Sequence, residues 1–166
     1  MEQVARRIRS RAGRRPVRTE DCAAREPSAF ISYATEDGAV HAARLDRALR
    51  QHGVVTWLYV RDMDEAVDFT SGLEQAIQAA DRLIACITLD VQRADSYVRR
   101  EIAYAQLCGK PIAVARFAPV RPPISVVTHT YFEFHKDWDA AFERLLLFCR
   151  SGSGTTADRA GGPVGG

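Results

Sequence analysis

Between about Ser28 and Arg150 the spacing of apolar residues alternates between strand type and helix type through five strands, and few architectures accept that pattern. Ala29 to Tyr33 is a short apolar run of strand type. Glu36 to His52 reads as a helix, with Ala42, Leu45, Ala48 and Leu49 on one face and Gly53 as its stop. Val54 to Val60 is β-branched and aromatic, which predicts a strand. A polar loop, RDMDEAVDF, precedes a second helix over Ser71 to Asp81. Leu83 to Thr88 is apolar without alternation, as expected of a strand covered on both faces. Asp95 or Ser96 can cap a third helix, whose stripe is Val98, Ile102 and Ala105. Pro111 to Phe117 is the fourth strand, and Val126 to Phe134 an edge strand. Trp138, Phe142, Leu145, Leu146 and Cys149 mark the last helix.

Strand alternating with helix predicts a parallel sheet with helices on both faces, because each crossover must pack back onto the sheet. The expected fold is a single flavodoxin-like α/β domain with five parallel strands in the order 2-1-3-4-5. Ligands in such a sheet bind beyond the carboxyl ends of the strands, where the order reverses, here between strands 1 and 3. One residue on the third helix invites attention for that reason. Glu101 has Tyr97 and Val98 one turn before it and Tyr104 and Ala105 one turn after, so no cation at the usual pairing distances. It sits beside the apolar stripe, and the exit of the first strand, Ser32-Tyr33-Ala34, is expected to face it.

Composition narrows the classes. A chain of 166 residues with 46% apolar and 27% charged residues is an ordinary globular domain. No apolar run approaches the roughly 18 residues of a membrane span, and no apolar block follows the N-terminal charges as in a secretory signal. Cys22, Cys86, Cys108 and Cys149 form no CxxC pair, which suggests reduced thiols in a cytoplasmic setting. They read as packing residues. His41, His52, His129 and His135 show no metal-ligand spacing, so no metal is expected. The glycine-rich signatures of dinucleotide-binding and P-loop folds are absent. Residues 1–27 hold eight Arg against four acids, whereas the remainder is net −2. This basic arm reads as a solvated, flexible extension; it lacks the aromatics that would stack on bases, which argues against a nucleic-acid tether. The tail 151–166, rich in Gly and Ser, reads as a disordered segment or linker.

Taken in order, FISYATED, GVVTWLYV, DMDEAVDF, GLEQAIQAADRLIACIT, DSYVRREIAYA and CGKPIAV resemble the Toll/interleukin receptor (TIR) domain over nearly all of residues 28–150. The resemblance implies one of two roles. Some TIR domains are adaptors that bind other TIR domains; others, including a bacterial branch, cleave NAD+ between nicotinamide and ribose. The enzymatic branch carries a glutamate four residues after an aromatic, here Glu101 after Tyr97. The resemblance makes Glu101 catalytic and implies substrate contacts from Tyr33, Ala34, Asp62, Glu65, Phe69 and Tyr97. NAD+ would be the substrate, with no cofactor. The partners implied are the chain itself, other TIR proteins or a fused sensor module, in signalling or immune defence, with no membrane involved. Three departures from the family pattern stand out, over four positions. Val67 replaces a small residue in the mobile loop, Tyr59 an acidic residue after strand 2, and Ala34 and Thr35 the basic residues after strand 1.

A single carboxylate suits this bond. Glycosidases that expel an alkoxide use two carboxyl groups, one as acid. Nicotinamide starts as a pyridinium and leaves neutral, so no acid is required. One carboxylate can stabilise the oxocarbenium-like charge. The expected function is an NAD+ glycohydrolase or cyclase activated by self-association. The alternative is a TIR–TIR scaffold without turnover.

Overall fold

Six consecutive buried residues, Arg82–Ile87, form the middle strand of the sheet in the computed structural model, which describes residues 26–62, 68–92, 97–122, 124 and 129–151. The strands are β1 (Ser28–Ser32), β2 (Val55–Leu58), β3 (Arg82–Ile87), β4 (Ile112–Arg116) and β5 (Thr130–Glu133). They pair in parallel in the order β2-β1-β3-β4-β5, so the expected topology holds. The helices are α1 (Ala39–Gln51), α2 (Tyr59–Asp62), α3 (Phe69–Ala79), α4 (Tyr97–Leu107) and α5 (Trp138–Arg150), with a 3₁₀ turn at Leu89–Gln92.

Period-two alternation divides the core. Ala29 and Ile31 of β1, with Ile84, Cys86, Ala113 and Ala115, pack under residues of α1 and α5. Phe30, Leu83, Ala85, Ile87 and Val114 pack under α3 and α4. Ser32 shares the face of Phe30 because side chains two apart on a strand point the same way. The last residue of β1 therefore looks toward α4, and that places the site.

Local chemistry sets the element ends. Gly53 and Gly109 take positive φ (78° and 66°) directly after α1 and α4, and their N–H groups bond Arg50 and Gln106 carbonyls. A side chain would be strained there, so glycine ends both helices. Helix α1 starts at Ala39 rather than at Glu36, because Asp37 is used elsewhere. Its carboxylate accepts from Thr88 Oγ1 (2.5 Å) and the Asp90 N–H (3.1 Å), which ties the turn after β1 to the exit of β3. Strand β2 stops at Leu58 rather than reaching Val60: the Asp62 carboxylate reaches back to the Leu58 N–H (2.7 Å) and turns the chain into α2. Asp68 caps α3 through the Ser71 N–H (3.2 Å), and Phe69 opens the helix instead of closing the loop. β5 is described from Thr130 to Glu133, and positions 126–128 of the expected edge strand lie outside the described residues. The proposed caps of α4, Asp95 and Ser96, lie outside the described residues, as do the arm to residue 25 and the tail from 152. No helix among the described residues is long and apolar enough to cross a membrane.

Candidate active site

α4 presents Val98, Ile102 and Ala105 to the sheet, all fully buried. Glu101 lies at the border of that stripe, three residues after Val98 and one before Ile102. Its backbone packs near the sheet while its carboxyl emerges at the end of β1. There Ser32 Oγ, only 1% exposed, donates to Glu101 Oε2. No other hydrogen bond to Glu101 is made among the described residues. Burial pushes the Glu101 carboxyl up to about 7, against an ordinary value near 4.5, and the Ser32 hydrogen bond acts in the opposite direction. Burial disfavours the charged form, and a donor to the anion favours it; here the first effect is larger.

The carboxyl lines a cavity of about 290 Å³ whose other walls include Phe30, Tyr33, Thr35, Tyr59, Phe69 and Tyr97. Three of these rings form a row: Tyr59 meets Phe69 edge to face at 5.3 Å between centroids, and Phe69 meets Tyr97 likewise at 5.5 Å. They remain 38%, 36% and 53% exposed, so the row flanks an open mouth. A second cavity of about 230 Å³ runs between α3 and α4 and shares Phe69, Tyr97 and Glu101 with the first. Glu74, Arg100 and Tyr104 line it, with the Arg100 guanidinium 5.4 Å from the centre of the Tyr97 ring and the Tyr104 hydroxyl bonded to Gln78 (2.5 Å). A larger hollow of about 580 Å³ lies at the opposite ends of β1 and β2, against Trp57 and Ala76. It is remote from the strand ends where the sheet order reverses, so its size does not make it the reactive centre.

The sequence candidates divide accordingly. Tyr33, Phe69, Tyr97 and Glu101 meet around one cavity. Ala34 does not line it; its carbonyl closes the turn by accepting the Gly38 N–H at 2.9 Å. Asp62 lines the remote hollow instead. Glu65 and Val67 lie outside the described residues. Tyr59 and Thr35, noted in the sequence only as departures from a pattern, are wall residues of the site. Cys86 and Cys149 are buried, and burial pushes the Cys149 thiol up to about 11, so neither is a poised nucleophile. Among the described residues no group of His, Cys, Asp and Glu could hold a metal ion.

The family description "TIR domain" matches residues 29–146. The chain belongs to the TIR domain family. No curated protein matches its sequence. Among solved structures, the TIR domain of a Toll-related receptor from Hydra magnipapillata aligns with a TM-score of 0.61 at 21% identity, covering 72% of this chain and 94% of that one. A prokaryotic SEFIR domain aligns at 0.59 and 16% identity, over 75% and 99%. The Clostridium botulinum CMP N-glycosidase aligns at 0.53 and 18% identity, over 73% and 98%. These likenesses establish the fold that this TIR chain shares with them.

Proposed function

We propose that this TIR domain cleaves NAD+ at the nicotinamide–ribose bond, as a glycohydrolase or a cyclase. The observation that carries the reading is the Glu101 carboxyl, bonded to Ser32 beside an aromatic row in a cavity at the switch point of the sheet. The pyridinium ring would lie against Tyr97 or Phe69, with the ribose over Glu101. As the C1′–N bond breaks, its electron pair leaves with the neutral nicotinamide. Positive charge grows on the sugar, and the ionised Glu101 beside it stabilises that charge. Water then adds at C1′ and releases a proton, or an adenine nitrogen adds instead and closes a ring. A CMP N-glycosidase, by its name an enzyme of a related bond, has this fold, but the reading rests on Glu101 and not on that likeness.

Concentrated protein incubated with NAD+ should release nicotinamide, with the second product resolved by chromatography. Glu101→Ala should lower that release by at least about a hundredfold, the scale for losing one group that stabilises developing charge. Equal turnover by the two proteins would remove Glu101 from the chemistry.

One observation favours the scaffold reading. Tyr59, Phe69 and Tyr97 leave a row of rings partly open to solvent, a surface that another TIR domain could cover. A scaffold would associate through these rings, survive Glu101→Ala unchanged, and yield no product at any concentration.

A further inference from the structure

We propose that Ser32 is a positioning residue for the glycosidic reaction: its hydroxyl clamps one oxygen of Glu101 and leaves the other oxygen for the sugar. The inference rests on the NAD+-cleaving reading only for what the carboxylate is used for; the pairing itself is a matter of geometry.

Ser32 is out of character for its place. It ends a central strand, SAFIS, whose neighbours on the same face are Phe30 and, across the register, Ala85 of β3. A hydroxyl buried among such groups is unfavourable unless it is hydrogen-bonded, and its recorded partner is Glu101 Oε2. An alanine or valine would serve packing at least as well. Oε1 has no hydrogen-bond partner among the described residues.

The charges around Glu101 do not do this work. On its own helix, Arg100 lies over the Tyr97 ring, and Arg99 gives its Nε–H to the Val91 carbonyl at 3.2 Å. From α3 the ionisable group on the shared cavity is Glu74, of the same sign. The rest of both walls offers the hydroxyls of Tyr33, Thr35, Tyr59, Thr70, Tyr97 and Tyr104. β1 contributes no charge, and the one cation of β3, Arg82, bonds the Phe148 and Ser151 carbonyls at the end of α5. Arg116 of β4 is paired with Glu133 at 2.7 Å. A single neutral donor therefore opposes the burial that drives Glu101 toward its protonated form. A protonated Glu101 carries no charge to offer an oxocarbenium ion, so losing the Ser32 donor weakens the reaction most at the acidic side.

The test has two readouts. The first is the titration of the Glu101 carboxyl carbon by 13C NMR, with no substrate present and the signal assigned by its loss in Glu101→Gln. Ser32→Ala should raise the midpoint by about one pH unit, the scale of one hydrogen bond to a charged group. Ser32→Thr, which keeps the donor, should return it toward the parent value. The second is the pH profile of NAD+ cleavage, whose acidic limb should move by the same amount. The variant should then be about tenfold slower at pH 6 and near parent at pH 9. An unchanged midpoint in folded Ser32→Ala overturns the proposal, and so does a rate lowered equally at every pH. A shifted midpoint in a protein that cleaves no NAD+ supports the pairing and removes the glycosidic reading instead.

Discussion

At the residue scale, the raised carboxyl of Glu101 has a consequence for stability that a surface glutamate would not have. Below about pH 4.5 the group is protonated folded and unfolded, and contributes nothing. As pH rises from there toward 7, the unfolded chain releases its proton while the folded chain keeps it. The folded state then binds more protons, so stability falls across that window and stays lowered above it. Glutamine does not titrate and can still accept from Ser32. Glu101→Gln should therefore be more stable than the parent by roughly 1–3 kcal/mol at pH 8, allowing for water in the open cavity, with the gain gone near pH 4.5. Urea melts at pH 8 and at pH 4.5 would check this, and a variant no more stable than the parent at pH 8 would show that the site imposes no such cost. Glu101 was legible in the sequence because a helix carboxylate without a cation one turn away stands out. Tyr59 was not: a run of β-branched and aromatic residues looks like strand to its end, and only the Asp62–Leu58 contact turns that ring into the cavity wall. Ser32 gave a weak signal, a polar residue closing an apolar central strand, whose meaning depends on a partner 69 residues away.

At the element scale, the turn between β1 and α1 holds one wall of the site, and Gly38 holds the turn. Its φ of −85° suits any residue, so conformational freedom is not the reason for glycine. Close approach is: a Cβ there would lie 2.6 Å from the Ala34 carbonyl oxygen and 3.2 Å from Tyr33 Cβ. Backbone cannot yield as a flexible side chain would, so Gly38→Ala must push the turn outward. The same turn carries Tyr33 and Thr35 to the cavity and is fastened to β3 through Asp37. Gly38→Ala should destabilise the fold by about 1–3 kcal/mol and lower cleavage more than the stability loss explains at 10 °C, where the protein stays folded. Full activity in a destabilised Gly38→Ala would mean that this wall does not position substrate. The order of elements was readable because hydrophobic period is a local property. Their ends were less so, since Asp37 and Asp62 spend their carboxylates on contacts that the local pattern does not encode. The cavity between α3 and α4 was not legible at all: Phe69, Glu74 and Tyr104 meet only through tertiary packing.

At the scale of the whole molecule, the site is smaller and more open than its proposed substrate requires. Ligand sites commonly enclose roughly 300–1,000 Å³ and bury most of the ligand. The cavity at Glu101 holds about 290 Å³ and its neighbour about 230 Å³, with three partly exposed rings between them and solvent. A dinucleotide in one chain would leave much of its length uncovered. A second TIR chain laid over Tyr59, Phe69 and Tyr97 would bury that aromatic row and add the missing wall, so assembly and catalysis would be coupled, each favouring the other. Cleavage per molecule should then rise with protein concentration instead of staying constant. Over a hundredfold dilution, specific activity should fall steeply, and a crowding agent should restore part of it. Phe69→Ala, which removes the middle ring of the row and leaves the Ser32–Glu101 pair untouched, should lower activity and flatten the dependence on concentration. Sedimentation at each concentration ties the rates to the oligomeric state. Constant specific activity from a protein that sediments as a monomer throughout would mean that one chain completes the site and that the coupling is wrong.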